Sequence, residues 1–281
     1  MAFKSILTVA TGPEGLVPLL RSAAAVTVAA DGHLDVLALG IDAMQPAVYG
    51  FGGSFDVLRI ALDHARSAAG AIAAEARAAL GREDPALRWT VEPGIAAAGM
   101  LRAVVALRAQ YSDLVVLPRP YGALRQPEDV AVVEAALFEG RAPVLLLPEG
   151  SGGVAGPRHV IVAWNQSPEA MAAVRRAMPL LRGAGRVTVA MIDPPSGGPE
   201  GDEPGAMLCR MLVRQGAPAE VAILPRGAAR LSEALLRHVR EQGGDLVVMG
   251  AYGHSRLREA VLGGATRSML EQAHVPLLVA R

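Results

Sequence analysis

The chain has little cysteine, few aromatic residues and no net charge, and each shortage excludes something. The single cysteine, Cys209, rules out an intrachain disulfide framework. It stands among Met207, Leu208, Met211 and Leu212 and reads as a small buried hydrophobe of a helix. Aromatics are 4% of the residues, so stacking platforms for single-stranded nucleic acid are scarce. The 27 Lys+Arg balance the 27 Asp+Glu, with both signs scattered along the chain. Bulk electrostatic attraction to DNA, RNA or anionic lipid is therefore not expected. No stretch approaches the roughly 18 apolar residues of a membrane span, the nearest being Ala23 to Ala30. The opening residues Met1 to Ala10 break into Gly12-Pro13-Glu14, unlike a signal or transit peptide, and the expectation is a cytoplasmic protein with neither nucleic acid nor membrane as partner. The six histidines, His33, His64, His159, His238, His254 and His274, show no metal-ligand spacing. No Gly-x-Ser-x-Gly elbow is present. No catalytic residue and no metal ligand is assigned.

What the chain does have is 281 residues, of which 52% are hydrophobic, enough for about two domains. It also repeats itself. Asp113-Leu-Val-Val116 recurs as Asp245-Leu-Val-Val248, 132 residues on, and Ala142-Pro143-Val-Leu-Leu-Leu147 is answered by Val275-Pro276-Leu-Leu-Val279 at an offset of 133. Ser5-Ile-Leu-Thr-Val-Ala10 with Gly12-Pro13-Glu14 matches His159-Val-Ile-Val-Ala-Trp164 with Ser167-Pro168-Glu169. Three anchors in the same order point to a tandem duplication. The Gly/Ser stretch Glu149 to Gly156 is the expected linker, with domains at 1–149 and 157–281.

Within each half, short β-branched runs alternate with helical patterns, which reads as βαβ units. In the second half the pattern predicts strands at Val160–Trp164, Val187–Ile192, Ala219–Leu224, Leu246–Met249 and Leu277–Ala280. Helices are predicted over Pro168–Leu181, Gly205–Gln215, Arg230–Glu241 and Ala265–Ala273. The strands are continuous apolar runs, as parallel strands covered on both faces must be. In such a sheet the ligand crevice lies beyond the carboxyl ends of the strands where their order reverses, here the first and the fourth.

After the fourth strand of the second half runs Gly250-Ala-Tyr-Gly253-His-Ser-Arg-Leu-Arg-Glu-Ala-Val-Leu-Gly263-Gly264-Ala-Thr266-Arg267. Gly250 and Gly253 let the backbone leave the strand and approach a ligand. Gly263 and Gly264 precede a helix whose free N–H groups and dipole suit a phosphate. Thr266 and Ser255 offer hydroxyls, and Arg256, Arg258 and Arg267 offer charge. No Walker loop and no Gly-x-Gly-x-x-Gly after a first strand is present.

Gly250, Gly253 and Gly263, with nine residues between the last two, resemble the Gly-x2-Gly-x9-Gly-Ser/Thr motif of the universal stress protein family. The resemblance covers nearly the whole chain as two copies. It implies an α/β fold of two tandem flavodoxin-like domains, each a five-stranded parallel sheet with helices on both faces. It also implies a stress-response protein binding an adenine nucleotide, ATP or AMP, in its C-terminal domain, with any Mg²⁺ carried by the nucleotide. The implied contacts are Asn165 and Ile192 at the nucleoside end and Gly250, Gly253, Gly263, Gly264 and Thr266 at the phosphates, with Met191 and Asp193 as neighbours. Gly264 stands where the family has Ser/Thr, and Asn165 where it usually has Asp. Members pair through the last strand, so Val144–Leu147 and Leu277–Ala280 are expected to pair within the chain, with a homodimer open. In the first half Pro118 and Tyr121 replace Gly250 and Gly253, Val130 and Ala131 replace Gly263 and Gly264, and Ala10 is aligned with Asn165. That half is expected not to bind nucleotide. A nucleotide-free scaffold or signalling protein is the alternative; a slow ATPase would need His254 or Glu259 to position its nucleophile. The remaining glycine-rich loop, Tyr49 to Ser54, reads as a surface loop, and Pro194 to Pro204 as a solvated one.

Overall fold

The computed structural model describes residues 2–42, 55–122, 125–150, 156–195, 203–251 and 264–281. The loop Tyr49–Ser54, the segment 252–263 and most of the Pro194–Pro204 stretch lie outside these residues. The chain divides into two compact units, Ala2–Val144 and Leu145–Arg281. The limits expected from the repeat instead keep the fifth strand whole with the first copy.

In the first unit, strands β1 (Ser5–Ala10), β2 (His33–Asp42), β3 (Arg88–Ala97) and β4 (Leu114–Pro118) alternate with helices α1 (Leu16–Ala29), α2 (Phe55–Leu80) and α3 (Leu101–Ala109). Helix α4 (Pro127–Glu134), prolonged by a π turn over Ala135–Glu139, leads to β5 (Val144–Leu147). The strand order is β3-β2-β1-β4, all parallel. The second unit carries β6 (His159–Ala163), α5 (Pro168–Gly183), β7 (Arg186–Ile192), α6 (Ala206–Arg214) and β8 (Ala219–Leu224). It continues with α7 (Leu231–Gln242), β9 (Leu246–Gly250), α8 (Gly264–Gln272) and β10 (Leu277–Ala280). Its parallel order is β10-β9-β6-β7-β8. The first and fourth strands of the unit thus become neighbours, and the right-handed crossovers put α5 and α6 on one face and α7 and α8 on the other.

The apolar runs explain the sheet. Val160, Ile161 and Val162 on β6, Leu246 to Val248 on β9 and Leu277 to Val279 on β10 are all buried. Helix α5 starts where expected, because Ser167 Oγ accepts the Ala170 N–H at 3.1 Å and Pro168 fills the first position. Its buried stripe, Ala170, Ala173, Val174, Ala177 and Leu181, faces the core. Cys209 on α6, expected inside, is half-buried, because the helix buries Leu208 and Leu212 instead.

The repeated aspartate has a structural task. Asp245 N–H donates to His159 O at 3.0 Å, and its carboxylate accepts the N–H groups of Arg158 (2.9 Å) and His159 (3.0 Å). Asp113 does the same in the first unit, donating to Ser5 O (2.8 Å) and accepting from Lys4 (2.8 Å) and Ser5 (3.0 Å). Each carboxylate therefore clamps the start of the first strand to the start of the fourth. Hydrogen bonds to a charged group contribute about 1.5–3 kcal/mol. Asp245→Ala is expected to lower stability by about 2 kcal/mol in urea unfolding followed by fluorescence, while a change of only a few tenths would show that the clamp does not hold the register.

Candidate functional site

β6 and β9 are adjacent, and the chain leaves them in opposite directions, β6 toward β7 and β9 toward β10. At the carboxyl ends of such a pair the two crossover helices part and leave a crevice. Here it measures about 290 Å³. The strand ends contribute Trp164, Met191, Ile192, Met249 and Gly250; α7 contributes Leu231, Ser232 and Leu235, and α8 contributes Ala265 and Met269. Asp193 is the one charged residue lining it among the described residues. The site is thus apolar, with a few polar groups at its end, the usual make-up of a small-molecule pocket.

Those polar groups come from the way β6 ends. Trp164 N–H still donates to Ala190 O at 2.9 Å, and then the chain turns with Gln166 at φ +62°. Asn165 Oδ1 accepts the Ser167 N–H at 3.2 Å. A backbone N–H can only donate, so this bond fixes the amide: its oxygen is committed and Nδ2, a donor, is the end left for a ligand. On β7 the peptide groups alternate sides. Ala190 O faces β6 and the Asp193 N–H faces β8, where it donates to Leu224 O at 3.1 Å. The N–H and C=O of Ile192 therefore point to the side of β6, beyond its last register pair, Ala163 with Ala190. One donor and one acceptor stand side by side with no ladder partner among the described residues. Trp164 is 7% exposed, and its indole N–H has no acceptor among the described residues.

Of the residues expected from sequence, Asn165, Ile192 and Gly250 line the crevice, as do the neighbours Met191 and Asp193. Gly264 is the first residue of α8, with open space where a Cβ would stand. Thr266 is buried in the first turn of α8 and is not among the lining residues. Arg267 is held by Glu271, one turn away, at 2.7 Å. Gly253 and Gly263 lie outside the described residues, as do His254, Ser255, Arg256, Arg258 and Glu259. Gly250 has a second task, because a Cβ there would meet the Ala170 nitrogen at 2.4 Å. Helix α5 packs directly on that backbone. Trp164 and the α7 wall were not expected. Leu231 and Ser232 open a helix far along the chain, and only the crossover from β8 back to β9 carries that helix to the site.

The same place in the first unit is different. Ile6 pairs with Leu114 as Val160 pairs with Leu246. This register puts Ala10 at the position of Trp164 and Thr11 at that of Asn165, which corrects the expected match of Ala10 with Asn165. The turn from Thr11 to Pro13 is one residue shorter than that from Asn165 to Pro168, so an alignment drawn from the Pro-Glu pair slips by one. The cavity there is about 100 Å³, and its lining includes Glu14, Pro118 and Asp129. Helix α4 carries its own anions: Glu128 and Asp129 lie in its first turn, and Asp129 Oδ2 accepts the Gln126 N–H at 3.0 Å. Helix α8 has no acidic residue in its first turn. No carboxylate of its own first turn therefore stands against the positive end of its dipole.

A model described as the universal stress protein family matches residues 156–281. The match takes in the second unit from Gly156 to the last residue, and the first unit lies outside it. The universal stress protein Slr1230 of Synechocystis sp. is 35% identical over 72 residues, 26% of this chain. The match spans 24% of that relative's length. A crystal structure of a universal stress protein from Archaeoglobus fulgidus covers 98% of this chain and 97% of its own, with a TM-score of 0.69 at 15% identity, so the fold is shared along both units. A universal stress protein solved in complex with cAMP is 17% identical, covers 45% of this chain and 98% of its own, and has a TM-score of 0.35. Among the described residues no helix is long and apolar enough to cross a membrane, and no group of three or more His, Cys, Asp or Glu is placed to hold a metal.

Gly250→Ala is expected to destabilise the second unit by about 1–3 kcal/mol, since a methyl group must push α5 off the end of β9. Thermal unfolding measures this, and an unshifted midpoint would show that α5 has room to yield.

Proposed function

We propose that this chain is a universal stress protein that binds one adenine nucleotide, ATP or AMP, in the crevice of its second unit, and that its first unit binds none. The observation that carries the reading is the contrast between the two helices that follow the fourth strands. α8 has no acidic residue in its first turn and lies beside an apolar crevice of about 290 Å³, whereas α4 carries Glu128 and Asp129 in its first turn beside a cavity of about 100 Å³.

In this reading the base enters among Trp164, Met249, Leu235 and Met269. The N–H and C=O of Ile192 offer an adjacent donor and acceptor, the complement of an adenine edge with its ring nitrogen and exocyclic amine. Asn165 Nδ2 donates to the nucleoside. The phosphates meet the N–H groups at Gly264 and Ala265, with Gly250, Gly253 and Gly263 keeping the approach free of side chains. Thr266 serves as a packing residue of α8 instead of a ligand contact. Mg²⁺ comes with the triphosphate. In the first unit the smaller cavity sets two carboxylates, Glu14 and Asp129, against one cation, Arg125, where phosphates would lie.

Native mass spectrometry of the freshly purified chain is expected to show one adenine nucleotide per chain, released on denaturation. Calorimetry with Mg-ATP on stripped protein should show a single site. Gly263→Asp should abolish binding with the unfolding transition retained, because its carboxylate would stand against the phosphates. An empty protein whose unfolding midpoint ignores added Mg-ATP would overturn the reading in favour of a nucleotide-free scaffold, since a ligand selective for the native state must stabilise it.

A further inference from the structure

At the end of the sheet away from the crevice, two histidines are buried under α7. His159, on β6, is 6% exposed, and His238, on α7, is 9% exposed. Nδ1 of His159 lies 3.1 Å from Gln242 O, which can only accept, so Nδ1 carries a hydrogen and donates it; Nε2 shares a hydrogen bond of 2.8 Å with the hydroxyl of buried Thr188. His159 thereby ties the last turn of α7 to the sheet. His238 Nε2 is buried and has no partner among the described residues. Burial holds the His238 imidazole below its ordinary value of 6.5, and the neighbouring His159 and Arg186 act in the same direction against Glu241.

We propose that His238, buried beside His159, is an acid-sensitive latch, which keeps α7 seated on the sheet while its ring is neutral and loosens it when the ring takes up a proton. The inference stands on the buried pair and does not require the nucleotide reading. Protonation of His238 puts a positive charge in a buried position beside Arg186, and its Nε2–H would be buried without an acceptor among the described residues. The surrounding charges do not offset this. On α7 itself Glu241 is the favourable neighbour. On β7 Arg186 is positive and is engaged with Glu220 of β8. At the start of β9 the Asp245 carboxylate is taken by the N–H groups of Arg158 and His159, with the Arg158 side chain at 3.6 Å. Beyond α8, His274 lies near Arg240.

The direction follows from linkage. The folded-state pKa of His238 lies below the unfolded value, so the unfolded chain binds more protons. Stability is complete above about pH 6.5 and is lost as the pH falls through and below it. The latch is confined to the second unit, because register and repeat place Ser5, Asp35 and Ala106 where His159, Thr188 and His238 stand. Since Leu231, Ser232 and Leu235 of α7 line the crevice, acid also loosens one of its walls.

Hydrogen exchange of the full chain, corrected for the pH dependence of the intrinsic rate, tests this. Going from pH 7.5 to 5, amides of residues 231–242 should lose at least tenfold in protection, and the loss should vanish in the His159→Gln/His238→Leu double variant. Equal protection at both pH values, or a loss that persists in the variant, would overturn the latch. Should the variant fail to fold, NMR titration of the wild-type histidine rings decides: His238 is expected to titrate below 6.5 together with exchange at α7, and a His238 midpoint at or above 6.5 with α7 unchanged overturns it.

Discussion

The carboxylate of Asp245 sets the register of β6 against β9 by taking the N–H groups of Arg158 and His159 while its own N–H reaches back to His159 O. Once two parallel strands are locked at their amino ends, their lengths decide where they stop. β6 stops at Ala163, while β7 runs on to Ile192. The crevice is the space left by that difference, and the open peptide groups of Ile192 are its consequence. The polar chemistry of the site is therefore set at the far end of the sheet, by a residue that touches no part of the crevice.

The two units show how a duplicated frame separates from what is built on it. Asp113 repeats the clamp of Asp245, and the parallel order β2-β1-β4 repeats β7-β6-β9. The differences sit at the carboxyl ends. Pro118 replaces Gly250, so the fourth strand leaves by a stiffer route. Asp129 puts a carboxylate into the first turn of α4, where α8 has none. A helix end with its own carboxylate has less to offer a phosphate, so the first unit keeps the architecture with a smaller cavity and an acidic helix start.

α7 connects the two ends of the second unit. Its first turn lines the crevice through Leu231 and Ser232, and its last turn is held by His159 through Gln242 O. A buried imidazole is inexpensive to keep neutral near pH 7 and costly to charge, so the same helix that shapes the site carries in His238 a group suited to sensing mild acid.

Much of this was readable from the residues in order. Continuous apolar runs such as Val160–Val162 and Leu246–Val248 dictate a parallel sheet, because such strands must be covered on both faces. Ser167-Pro168 marks the start of α5, and the repeated Asp-Leu-Val-Val marks the duplication. These are local signals carried by neighbouring side chains. Tertiary structure alone decided that α7 supplies a wall of the crevice, that Gly250 is demanded by the backbone of α5, that Thr266 faces the core, and that Thr11 rather than Ala10 stands at the position of Asn165. Each of these depends on which atoms a crossover or a register brings together across tens of residues, and on a one-residue difference in a turn. Side-chain type and spacing along the chain hold no record of such distances.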